Sequence, residues 1–231
     1  MSGTQSGEGI DQTLGARSAV RTPPRPMICE TELAELIGAY GEPLRRTYQI
    51  EADEYIRAYR WRPDNDRRAE VVFVIQDASD KLLMHTKAHY AAHLSRLPSG
   101  GVELHERIYD ALLREIAEET GLDATGKDAV IQRFIGLIEY HFHYNGSTVK
   151  FASYIFHLRS FGTPPVIADP CEIHAFRAIR PSQLLQLTVD MRNMMGERRG
   201  WGQWRSLTHD LVYDYLCGSC NATTHGNCAN D

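Results

Sequence analysis

Three glutamates at positions 115, 118 and 119 carry the strongest chemical signal in the sequence. Their i, i+3 and i+4 spacing puts all three carboxylates on one side of a helix. Like charges at that spacing repel, so crowding them calls for a positive partner. Hard oxygen donors at close range suit Mg²⁺ or Mn²⁺ better than Zn²⁺ or copper. An acidic run on a helix is also compatible with a solvated face, and the approach to this one tips the balance. Leu97-Pro98-Ser99-Gly100-Gly101-Val102-Glu103 is strand-like and places two glycines where backbone can come close to a ligand or metal. Gly121, just past the acidic cluster, is a natural left-handed stop. Ile108, Ala111, Leu112 and Ile116 form an apolar stripe that would seat the helix on a sheet.

The elements that must position this helix follow from the rest of the chain. A short helix is expected over 30–39, its apolar face Leu33, Leu36 and Ile37, with Gly41 and Pro43 ending it. Tyr48 to Trp61 reads as one or two strands, with Tyr55, Tyr59 and Trp61 alternating on one face as packing, a dimer surface or a base-stacking platform. Residues 69–76 form a buried strand that returns through a polar turn as 81–85. The 105–120 segment is helical, and 130–143 and 148–158 flank Asn145-Gly146, a strong hairpin signal. A strand over 172–180, a short helix from Pro181 and a last helix at about 205–216 complete the series. The alternation predicts a layered α/β (α+β) domain with a mixed sheet and helices on both sides.

The chain has 231 residues and a formal net charge of -5, from 25 basic and 30 acidic side chains. That length suits one domain with extensions, and that charge disfavours nucleic acid as the main partner. No run reaches the length of a membrane span and no apolar signal core opens the chain, so a soluble cytoplasmic protein is the expectation. Cys29, Cys171, Cys217, Cys220 and Cys228 are odd in number and unevenly spaced, which argues against a secreted disulfide framework. Cys217, Cys220, His225 and Cys228 approximate a zinc knuckle but with shortened spacing, and an unliganded mobile tail is the preferred reading.

The segment from Gly100 to Leu122 resembles the Nudix box, the signature of the Nudix hydrolases. Gly100, Glu106, Arg114, Glu115, Ile116, Glu118, Glu119, Gly121 and Leu122 fill every fixed position at the right spacing. The box covers about a tenth of the chain, and the family fold fits roughly residues 66–190. Around it the expected organisation is a disordered leader (1–26), an N-terminal extension (27–65), a C-terminal helical extension (191–216) and the Cys/His tail (217–231).

The resemblance implies an α/β/α sandwich in which Glu115, Glu118 and Glu119, with a main-chain carbonyl near Ser99, bind one or more Mg²⁺ ions. Arg114 would hold Glu115 and reach Glu118, with Glu106 supporting it. The implied reaction is water attack on phosphorus in a nucleoside diphosphate linked to another moiety, a small nucleotide-derived substrate. The base is not fixed by the resemblance. Glu115 fills that role in some members and a later loop carboxylate in others, for which Glu172 is preferred over Asp169. The strand from Phe151 to Arg159 carries His157 and Arg159 but no carboxylate, against a strand-borne ligand. Arg45, Arg46, Arg57 and Arg60 are candidates to face phosphate; His141, His143 and Tyr144 at the hairpin tip read better as exposed strand ends. The competing readings are a ligand-sensing domain without turnover and an RNA 5′-end pyrophosphohydrolase. A homodimer is compatible with the resemblance.

Overall fold

The computed structural model describes residues 23–170 and 172–218. The leader up to residue 22, Cys171, and Cys220, His225 and Cys228 of the tail lie outside the described residues. Among the described residues seven strands form one mixed sheet: β1 (Leu44–Glu51), β2 (Arg67–Gln76), β3 (Leu82–Thr86), β4 (Ser99–Glu103), β5 (Ala129–Tyr144), β6 (Ser147–Ser160) and β7 (Ala175–Ile179). Their order is β1-β5-β6-β2-β3-β7, with β4 paired to β2 off that path. β1 runs parallel to β5 and β2 parallel to β6, while the other pairs are antiparallel.

Among the described residues five α-helices cover the two faces: α1 (Glu30–Tyr40), α2 (Glu54–Arg60), α3 (Ile108–Thr120), α4 (Leu184–Arg192) and α5 (Arg199–Cys217). Successive side chains of β2 alternate between two cores, as a strand period of two requires. Val71 and Phe73 meet Leu33 and Leu36 of α1 and Ile108, Leu112 and Ile116 of α3. Val72 and Val74 belong to the other core, with Ile56 of α2, Leu184 of α4 and Trp204, Leu211 and Val212 of α5. Burial on both faces explains why β2 reads as an almost unbroken apolar run. The β5–β6 hairpin turns at Asn145 and Gly146, with φ 47° and 76°, the left-handed pair that the Asn-Gly dipeptide supplies.

One segment departs from the sequence expectation. The chain does not continue as a strand through Trp61. β1 ends at Glu51, and Asp53 starts α2 by accepting the Ile56 N–H on Oδ1 at 3.0 Å. Its Oδ2 accepts the Gly200 N–H at 2.7 Å, tying the start of α2 to α5. Tyr55 and Tyr59 therefore sit one helical turn apart and do not alternate on a strand face. The cap and tertiary packing override the strand propensity of the aromatics.

α5 is fixed to the segment that leads into the strand carrying the glycines. His209 is 2% exposed, and its Nε2 accepts the Leu97 N–H at 3.1 Å. Burial, then the charges of Arg96 and Arg205, push its pKa down to about 3. An unfolded histidine titrates near 6.5. The stabilisation from keeping His209 neutral is thus complete above that value and is lost as pH falls toward the folded pKa. His209→Gln is expected to flatten unfolding free energy against pH by ~1.4 kcal/mol per pH unit between roughly pH 6 and 4. Denaturant titrations at several pH values check this; equal slopes in parent and variant would contradict it.

Candidate active site

β4 and α3 bring the sequence-selected residues together. Ser99, Gly100 and Gly101 pair with Val72, Val71 and Glu70 of β2, which holds the glycine backbone straight. A Cβ on Gly100 would lie 1.9 Å from the Glu115 carboxyl carbon, so the carboxylate rests directly where a side chain would be. Gly100→Ala is accordingly expected to keep the fold but displace Glu115, lowering turnover by at least about tenfold. Steady-state rates alongside circular dichroism test it, and unchanged turnover would refute the close approach.

Arg114 spends all its donors on holding this geometry. Its Nε and Nη2 each reach one oxygen of Glu106 at 2.8 Å. Nη1 donates to Glu115 at 2.9 Å and Glu118 at 3.0 Å, and Nη2 also donates to the Gly101 carbonyl at 3.0 Å. The planar fork thereby ties the loop, the strand and the helix together. Glu106 does this from the residues before α3, which starts at Ile108 and not at the expected residue 105. Arg114 positions carboxylates.

The three helix glutamates have different surroundings. The Glu119 side chain is 8% exposed, its Oε2 is buried without a hydrogen-bond partner, and burial pushes its pKa up to about 7. His85 Nδ1 lies 3.9 Å away, but burial holds that imidazole neutral, so the contact is not an ion pair. Glu115 is also raised by burial, against the pull of Arg114. Glu118 is 59% exposed and turned to Arg114. Glu115 and Glu119 line one cavity of about 110 Å³ together with Ser99, Gly100, Gly101 and Glu172; Glu118 does not. A larger depression of about 680 Å³, bounded by Arg133, His157 and Asp214, holds none of these residues.

A buried and a half-buried carboxylate whose charges are opposed by desolvation, one with an unpartnered oxygen, fit a divalent cation. Among the described residues no three His, Cys, Asp or Glu side chains converge into a ready-made cage. Mg²⁺ does not require one, because it binds through one or two carboxylates and completes its shell with water and substrate phosphate.

The cavity also contains basic residues that local sequence did not single out: Arg67, Lys87, Arg96 and Arg205. Glu70, buried in β2, accepts from Arg205 Nη1 on both oxygens, at 2.8 and 2.7 Å, and from Ser153 Oγ at 2.5 Å. A glutamate inside an otherwise apolar strand was the available signal that a buried counter-charge must exist. Of the four N-terminal arginines only Arg60 lines the cavity. Arg45 pairs with Glu42, Arg46 with Asp214 and Arg57 with Glu54. His141 and His143 bond to Gln49, and Tyr144 donates to Glu54, so the hairpin tip is tied to its neighbours.

Residues 66–196 match the family model of the NUDIX domain, more than half of the chain. The m7GpppN-mRNA hydrolase NUDT17 of Danio rerio is 39% identical over 72 residues, 30% of this chain and 24% of that protein. The match thus spans about a quarter of that relative's length. Among solved structures, the E. coli dihydroneopterin triphosphate pyrophosphohydrolase aligns with TM-score 0.45 at 14% identity, covering 67% of this chain and 97% of that one. A C. elegans Ap4A hydrolase aligns with TM-score 0.41 at 16% identity, covering 65% and 98%.

Proposed function

The chain belongs to the Nudix family of hydrolases, and from that premise we propose that it cleaves the diphosphate bond of a nucleoside diphosphate linked to another moiety, with Mg²⁺ as cofactor. The observation that carries this reading is a pair of carboxylates, buried Glu119 and half-buried Glu115, facing one small charged cavity. These two, with a main-chain carbonyl near Ser99, would hold the ion, and Glu118 would join them only by leaving Arg114. Mn²⁺ has the same ligand preference and would substitute. When bound, the ion supplies neutralisation of phosphate oxygens and a lower pKa for an attached water.

The chain's own residues do the rest. Arg114 keeps the Glu115 carboxylate over Gly100. Glu172 borders the same cavity from the loop before β7 and is exposed, so it can take a proton from attacking water and pass it to solvent. Glu115 is the competing base. No described helix is long and apolar enough to cross a membrane, and a cytoplasmic setting is part of the proposal.

A second reading, removal of an RNA 5′ cap or terminal pyrophosphate, is favoured by the partial likeness to the mRNA hydrolase. A panel of small nucleoside diphosphate derivatives and a capped RNA oligonucleotide separates the two. We expect higher kcat/KM on a small compound; a clear preference for the RNA would replace the first reading with the second.

A further inference from the structure

The helix that carries the active-site glutamates does not cap itself. The first turn of any helix leaves backbone N–H groups without a partner inside it. Before α3 stands Arg107, whose cationic side chain makes no capping bond. The acceptor comes instead from α1, where Glu32 Oε1 takes the Ile108 N–H at 2.6 Å. A carboxylate at that end also meets the positive pole of the helix dipole. Both α1 and the segment leading into it lie outside the matched residues 66–196. Leu33 and Leu36 of α1 share a core with Ile108 and Leu112 of α3, which seats both helices on one face of the sheet.

Glu32 is 4% exposed, so its charge needs a buried partner. Arg68 of β2 supplies it, donating Nη2 to Glu32 Oε2 at 2.8 Å. The same guanidinium holds the Glu106 carbonyl, through Nη2 at 2.8 Å and Nε at 3.2 Å, and donates Nη1 to the Pro26 carbonyl at 2.9 Å. Arg25 takes the two carbonyls just before: its N–H reaches Leu104 at 2.8 Å and its Nε reaches His105 at 3.2 Å. Three consecutive carbonyls of the loop into α3, and the first N–H of the helix, are thus held by residues outside Gly100–Leu122. The Glu106 carboxylate receives Arg114, and Arg114 in turn holds Glu115. A shift at Glu32 therefore reaches the cavity by two routes, the axis of α3 and the Glu106–Arg114 fork.

We propose that Glu32 is a positioning residue for the active site: by capping α3 and fixing Arg68 it sets where Glu115 and Glu119 stand, so that α1 is part of the catalytic unit. The catalytic consequence rests on the hydrolase reading above; the clamp on α3 does not. Glu32 does not line the cavity and acts only through α3 and Arg68. Small displacements of reacting groups cost rate, so its loss lowers kcat more than it raises KM.

The test uses the full chain with Glu32→Leu, Glu32→Gln, the double variant Glu32→Leu/Arg68→Met, and exposed Glu30→Ala on the same helix as control. At saturating Mg²⁺, Glu32→Leu is expected to lower kcat by about tenfold or more. Glu32→Gln keeps an acceptor for the Ile108 N–H and should lose part of this. Amide hydrogen exchange in the first turn of α3 should quicken in both, and Glu30→Ala should match the parent throughout. The double variant separates positioning from stability. Replacing both members of a buried ion pair by apolar side chains often restores stability, so its denaturation midpoint should recover while kcat stays low. Recovery of kcat together with the midpoint would show that the pair serves stability alone, and overturns the proposal. Parental kcat in a folded Glu32 variant, or a change confined to KM, overturns it as well. If circular dichroism shows that Glu32→Leu does not fold, Glu32→Gln decides, through a measurable loss of kcat. Absence of turnover in the parent itself would sink the hydrolase reading, and exchange would then judge the clamp: unchanged protection of the first turn of α3 in a folded Glu32 variant overturns it.

Discussion

Glu119→Gln is expected to lower turnover by at least about a hundredfold while the fold survives. The substitution keeps the shape of the side chain and removes only its charge. In the metal-free protein that charge is a liability, because burial disfavours it and Oε2 finds no partner. The variant should therefore be as stable as the parent without metal, or slightly more so. It should lose both the stabilisation by added Mg²⁺ and the turnover. A loss of turnover accompanied by unfolding would mean the glutamate serves packing. Full turnover in a folded variant would remove Glu119 from the site. Glu118→Gln provides the contrast: its carboxylate is exposed on Arg114, and the expected effect is smaller.

Glu70→Leu should produce the largest loss of stability among single substitutions in the site. Glu70 is 4% exposed and accepts from Arg205 on both oxygens. Burial works against its charge, but the Coulombic attraction of Arg205 and its two contacts outweigh that, keeping the carboxyl below its ordinary pKa. Removing it strands the Arg205 guanidinium, at a cost of about 3–5 kcal/mol. Adding Arg205→Leu should recover part of the loss, since an apolar replacement of both partners is often tolerated. Denaturant unfolding of the two single variants and the double variant reads the coupling. A cost near zero for Glu70→Leu would show that Arg205 finds another partner.

The same contrast explains what sequence could and could not reveal. Glu115, Glu118, Glu119, Arg114 and Gly100 lie within 20 residues, and helix periodicity with the glycine approach places them without tertiary knowledge. The sheet with helices on both faces was legible for a similar reason, since buried runs, the Asn-Gly turn and the apolar stripe of α3 are local patterns. Glu70 and Arg205 are 135 positions apart, and no local pattern pairs them. Arg60 is indistinguishable in composition from Arg45, Arg46 and Arg57 until α2 turns it inward. That turn depends on Asp53, whose capping role was available in Asp53-Glu54 but was hidden by the strand propensity of Tyr55, Tyr59 and Trp61. Glu118 shows the opposite limit: spacing puts it on the helix side with its neighbours, yet the full set of bonds to Arg114 turns it out of the cavity.

The most direct test of the central claim is phosphate-fragment release from the best substrate of the panel as Mg²⁺ is added to metal-stripped protein. If Glu115 and Glu119 hold a catalytic ion, the stripped protein should be silent, and release should rise with Mg²⁺ and saturate. Equal release in chelator and in Mg²⁺ would contradict the account.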